Sequence, residues 1–217
     1  MHSTVRIVIL SLFVAGLVIG ATAQQKEISR EEFDRMKTVA DRVLETMPYR
    51  VKSRHETFSD LDSKPDKTSL WITEYIRPNR EHSFHGLNSS DPSDKYERIR
   101  VGDRIFMKRD GKWTELKYSG DSGFGLSAGP ESIKYLIIGT EKVNGIEAKV
   151  YDLVSSHKFW IGRTEKNSVY HEKYWISQNG RILMTVGESD GIGSKRSRTT
   201  EIYEYDSKIK IEIPIKL

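Results

Sequence analysis

Two serine motifs stand where hydrolytic chemistry is looked for first. Gly120-Asp121-Ser122-Gly123 has the G-D-S-G order of a serine-protease nucleophile, but Phe124 takes the place of the glycine that should follow. Gly125-Leu126-Ser127-Ala128-Gly129 fits G-x-S-x-G, and Asp152 with His157 or His171 come after it in hydrolase order. That mechanism needs its serine on a sharp turn leading from a strand of a parallel sheet into a helix. Here Pro130 follows at once, and the neighbouring segments read as antiparallel hairpins. The histidines do not assemble a metal set. His82 and His85 are three apart in an extended stretch, which sends them to opposite faces, and His55, His157 and His171 are isolated. No cysteine is present to complete a zinc site. Gly123, Gly125 and Gly129 have neither the spacing nor the strand-to-helix setting of a dinucleotide fingerprint. The sequence therefore assigns no catalytic residue, no metal and no cofactor.

The elements that would have to position any site are strands. From Ile133 to Pro214 the chain alternates β-branched and aromatic runs with tight turns, two of them Asn-Gly: Asn144-Gly145 and Asn179-Gly180. Asn-Gly supplies the positive φ angles of a two-residue type I′ turn, whose twist suits antiparallel strands. Upstream, Tyr49, Val51 and Ser53 alternate with Arg50, Lys52 and Arg54. Residues 67–77 place Leu70, Ile72 and Ile76 on one face and Trp71, Thr73 and Tyr75 on the other. Glu81–Gly86, Lys95–Val101, Arg104–Arg109 and Lys112–Tyr118 read as further short strands, with turns at Gly102-Asp103 and Asp110-Gly111. Ser119–Ser132, rich in glycine, reads as a flap or short cover.

One helix precedes the strands. Ser29 and Glu32 form an S-x-x-E capping box, Ile28 can staple onto Phe33, and Pro48 ends the run. Phe33, Met36, Val39, Ala40, Val43, Leu44 and Met47 share one face. About ten antiparallel strands cannot stay flat, because twist accumulates, so the sheet should curl. The expected fold is α+β and mostly antiparallel β: a curled half-barrel with an N-terminal amphipathic helix packed on its concave face.

Residues 1–23 read as a signal peptide. Arg6 precedes the apolar run Ile7–Ile19, and Ala21-Thr22-Ala23 offers a small-x-small cleavage site before Gln24. The run is short for ~30 Å of hydrocarbon. The expectation is a periplasmic or secreted protein whose residues 24–217 form a single domain. With no cysteine, a hydrophobic core must hold that domain without disulfides. The formal charge of +4 comes from Lys and Arg mixed with Asp and Glu along the strands, a solvated surface rather than a nucleic-acid stripe.

Aromatic and apolar residues on a curved sheet, covered by one amphipathic helix, point to a ligand cavity. Burying an acyl chain there stabilises by ~0.8 kcal/mol per methylene and requires no catalytic group. The candidate lining is Phe33, Met36, Val43 and Met47 from the helix, with Leu70, Ile72, Ile76, Tyr135, Ile137, Val150 and Met184 from the sheet. A one-residue slip exchanges the two faces of a strand, so these assignments depend on register.

Three segments also carry a resemblance: Gly139–Tyr151 (GTEKVNGIEAKVY), Trp175–Gly180 (WISQNG) and Tyr203–Pro214 (YEYDSKIKIEIP). They resemble the LolA-like superfamily of outer-membrane lipoprotein-sorting proteins over residues 133–214. The resemblance implies an eleven-strand half-barrel around a hydrophobic cavity with helices as a lid, and lipid or lipoprotein acyl chains as cargo. The inward arginine used by the true carrier has no match here, and Glu81–Ser132 has no counterpart. The leading reading is a non-enzymatic, monomeric binder or carrier of acyl chains, with an envelope membrane protein as a further partner and no role for nucleic acid. The second is an envelope interaction or structural module whose core is self-filled. The third is an esterase-like hydrolase using Ser127.

Overall fold

The computed structural model describes residues 25–59, 64–91, 94–116, 130–161, 164–190 and 196–214. Residues 1–23, read above as a signal peptide, and both serine motifs, Ser127 included, lie outside them. A helix, α1 (Arg30–Thr46), follows a two-residue strand, β1 (Lys26–Glu27). Eleven more strands come after it: β2 (Tyr49–Phe58), β3 (Lys67–Ile76), β4 (Arg80–His85), β5 (Tyr96–Val101), β6 (Arg104–Arg109), β7 (Lys112–Leu116), β8 (Ser132–Val143), β9 (Ile146–Ile161), β10 (Thr164–Ser177), β11 (Ile182–Ser189) and β12 (Arg196–Tyr205).

All twelve strands form one antiparallel sheet in the order β1-β8-β9-β10-β11-β12-β2-β3-β4-β5-β6-β7. The sheet is open and curled, with the helix on its concave side. Each described neighbour pair is a hairpin except β1–β8 and β12–β2. The latter brings the C-terminal meander beside the N-terminal one, Tyr205 opposite Tyr49. The count exceeds the expected ten or eleven because β1 pairs Lys26 with Ile137 and Glu27 with Leu136, a contact too short to leave a periodic signal.

Local signals act as expected at the helix start. The Ser29 hydroxyl accepts a hydrogen bond from the Glu32 N–H at 3.2 Å, closing one orphan donor of the first turn. At Asn144-Gly145 both residues have positive φ (50° and 80°), the type I′ signature. The second Asn-Gly differs. Only Gly180 has positive φ, and its N–H bonds to the Ser177 carbonyl at 2.9 Å. This is a longer loop ending in a left-handed glycine, and the β10–β11 register shifts between Trp175 and Ile176 to accommodate it.

The alternation of strands and turns read as far as Pro214 stops at Tyr205, and residues 206–214 form no strand. Ile209 and Ile211 instead pack with Ile99 and Phe106, and Arg80 Nη1 donates to the Ile211 carbonyl at 2.9 Å. Alternate residues of the central strands serve two cores. One, under α1, contains Phe33, Ala40, Tyr151, Tyr174, Ile176 and Ile182; the other, on the outer face, contains Val143, Ala148, Val150, Trp175 and Leu183.

Candidate functional site

Phe33 sets the ceiling of the hollow. Its ring, almost fully buried, sits 4.9 Å from Tyr135, 5.9 Å from Tyr174 and 6.5 Å from Tyr151. Aromatic pairs at this spacing contribute beyond their buried area. Burial raises the Tyr174 and Tyr151 hydroxyls above their ordinary value, the charges of Glu172 and Glu32 respectively adding to the effect. Beneath the N-terminal half of α1 the hollow is thus filled by the protein's own rings.

An open groove remains where α1 passes the ends of β8–β10. It measures about 870 Å³ and is lined by Met36, Val39, Ile146, Tyr151 and Ile176, with Thr140, Glu147, Lys149, Gln178 and Asn179 at its rim. Val39 and Ile146 are large aliphatic residues left 51% and 50% exposed. A groove of this volume falls in the range of ligand pockets.

A second hollow of about 170 Å³ opens near Leu44, on the helix's other flank. Its walls are Tyr49, Val51, Ser53, Trp71, Thr73, Tyr75, Arg77, Glu201 and Tyr203. Arg77 Nη2 donates to the Tyr49 hydroxyl at 3.0 Å and its guanidinium stands 5.1 Å over the Tyr75 ring. Glu201 Oε2 accepts from Thr185 and Tyr203, each at 3.0 Å, and Oε1 accepts a longer bond from Ser53 at 3.4 Å. Burial pushes the Tyr75 hydroxyl up to about 12.

The predicted lining divides by register. Phe33, Met36, Tyr135 and Ile137 join the cluster under α1. Val43 lies against the Gly180 turn, and Met47 caps the helix with its sulfur 3.8 Å from Arg181 Nη2. Leu70, Ile72, Ile76, Val150 and Met184 do not line the hollow. Tyr203 under α1 pairs with Val51 and Val51 with Thr73, so Lys52 and its partner Ile72 face the other way, and Leu70 and Ile76 with them. Val150 and Met184 pack around Trp175 on the outer face, while Ile76 packs toward Ile209 and Ile211. The helix-covered face of these strands is the one bearing tyrosines.

The concave side is also less apolar than expected. Beyond the helix it carries Ser53, Thr73, Ser83 and Glu81, all buried. Glu81 pairs with Arg98 and accepts from Ser83 at 3.0 Å. Val39, Ile146, Trp71, Arg77 and Glu201 went unassigned to any site from sequence. Val39 was legible as part of the helix face and Ile146 as the residue after a hairpin turn, but Arg77 and Glu201 read only as members of a mixed-charge surface.

Of the triad partners considered for Ser127, His171 Nδ1 lies 3.3 Å from Asp152 Oδ2, and His157 Nε2 lies 3.2 Å from Ser155 Oγ. Among the described residues no group of three or more His, Asp or Glu side chains is placed to hold a metal ion.

No protein-family model matches the chain, and no curated protein is similar to it in sequence. Solved structures do share its outline. LprF from Mycobacterium bovis is 11% identical with a TM-score of 0.49, the match covering 88% of this chain and all of that one. A LolA superfamily protein from Nitrosomonas europaea is 12% identical with a TM-score of 0.35 over 83% of this chain and 94% of its own. An outer membrane lipoprotein-sorting protein domain from Vibrio parahaemolyticus is 9% identical, also at 0.35, over 83% and 93%. Likeness of this degree decides nothing about ligand or activity.

Proposed function

We propose that this chain binds the acyl chain of a lipid or lipoprotein in the groove between α1 and the ends of β8–β10, as an exported, soluble, non-enzymatic carrier. The observation that carries the reading is the pair Val39 and Ile146, half-exposed aliphatic side chains lining one groove of about 870 Å³. An apolar chain laid there gains ~0.8 kcal/mol for each methylene removed from water. The polar rim of Thr140, Glu147, Lys149 and Asn179 would face the cargo's exposed end. Residues 1–23 are taken as a cleaved signal peptide that delivers a monomer to the periplasm or exterior, where an envelope membrane protein would exchange cargo with it. Native mass spectrometry of protein purified from its own host tests this: a retained mass matching an acyl lipid is expected, and delipidated protein that takes up no added lipid contradicts it.

One observation favours a second reading, a structural module with a self-filled core. Phe33 and three tyrosines already occupy the hollow beneath the start of α1. Absence of acyl uptake combined with high stability of the empty protein would select it.

A further inference from the structure

The small hollow beside Leu44 holds one carboxylate and one guanidinium that do not neutralise each other. Among the described residues, neither Glu201 nor Arg77 has an oppositely charged partner within ion-pair distance; Arg77 is satisfied by the Tyr49 hydroxyl and Glu201 by the hydroxyls of Thr185, Tyr203 and Ser53. The basic residues further along the same face, Arg98 and Arg100, are engaged with Glu81. Two charged side chains of opposite sign, Glu201 partly buried and Arg77 exposed at the mouth, line one cavity and form a template for a ligand with the complementary pair. The rings of Tyr49, Tyr75, Tyr203 and Trp71 line the same cavity, an aromatic surround of the kind that attracts an ammonium. The guanidinium's remaining N–H donors suit phosphate oxygens. At about 170 Å³, the space equals that of roughly five or six waters, enough for a primary ammonium on a short linker with its phosphate at the mouth.

We propose that this pocket binds an ammonium–phosphate zwitterion of the phosphoethanolamine type, the ammonium on Glu201 Oε1 and the phosphate on Arg77. The shared chemistry occurs in a lipid headgroup and in the free phosphomonoester. The pocket lies across α1 from the acyl groove, so the proposal stands or falls separately from it.

Isothermal titration of the whole protein with monomeric dihexanoyl phosphatidylethanolamine, dihexanoyl phosphatidylglycerol and free O-phosphoethanolamine tests it. The ethanolamine lipid should bind about tenfold or more tighter than the glycerol lipid. Glu201→Gln keeps an oxygen for Thr185 and Tyr203 and should level the two; Arg77→Met should weaken both. Free O-phosphoethanolamine binding as tightly as the lipid supports the pocket and makes its ligand the soluble ester. Equal affinities for the two lipids in the unaltered protein overturn the inference while leaving the groove intact. A preference that survives Glu201→Gln, or no binding of any of the three, overturns it as well.

Discussion

Phe33 and Glu81 show how single side chains divide the concave face into a greasy half and a polar half. Phe33 is wedged among three tyrosines under α1, and truncating it removes a ring that nothing else can replace. Phe33→Ala should cost roughly 3–5 kcal/mol, read as a lowered urea midpoint; a change below about 1 kcal/mol would mean that α1 is not anchored there. Glu81 belongs to the polar half. Its burial acts to raise its carboxyl, but the guanidinium of Arg98, with Ser83 and Arg100, outweighs that and holds it below the usual 4.5. A carboxyl depressed in the folded state contributes stability above its unfolded value and loses it as pH falls through the folded one. Glu81→Gln should therefore be less stable than the unaltered protein at pH 7, with the gap closing as pH drops below about 4.5. Urea unfolding at pH 7 and pH 3 measures it, and a gap of constant size would contradict the assignment.

At the scale of elements, two glycines with the same backbone isolate how the helix is docked. Gly145 and Gly180 both have φ of +80°, but a Cβ at Gly145 meets nothing within 4 Å whereas one at Gly180 would sit 2.7 Å from Val39 Cγ1. Left-handed strain of ~1–2 kcal/mol applies to alanine at either site. Gly180→Ala should cost at least about 1 kcal/mol more than Gly145→Ala, because Val39 and the helix must shift as well; equal costs would show that α1 does not rest on this turn. Strands, hairpins and the helix with its cap were legible in the sequence because each rests on local chemistry: an Asn-Gly pair, a Ser at the N-cap, a period of two. What escaped was set by distant partners. The loop at Asn179-Gly180 is longer than its dipeptide implies, and its Gly180 lies against Val39 of the helix. Ile209 and Ile211 look like strand residues, yet they cover Ile99 and Phe106 on the outer face.

The whole molecule inverts a simple expectation about which side of a sheet is greasy. Leu70, Ile72, Ile76, Val150 and Met184 are apolar, and they lie on the outer face. Tyrosines line the helix-covered side because they bury a ring and keep a hydroxyl within reach of a partner, as Tyr203 does with Glu201 and Tyr205 with the Ile182 carbonyl at 3.1 Å. Alternation alone cannot tell the two sides apart; only the docking of α1 does. Of the expected lining only Met36 reaches the open groove; Phe33, Tyr135 and Ile137 pack in the cluster under α1, and the inward face of the remaining strands waited on register. The proposed function requires the groove beside α1 to take up an acyl chain. The most direct test is titration of the protein with a fluorescent fatty acid, beside a Val39→Asp/Ile146→Asp protein. Both sites are half exposed, so the fold should hold within about 1 kcal/mol. Saturable uptake by the unaltered protein, weakened at least about tenfold in the double variant, is the predicted result; no uptake, or uptake equal in the two proteins, would contradict it.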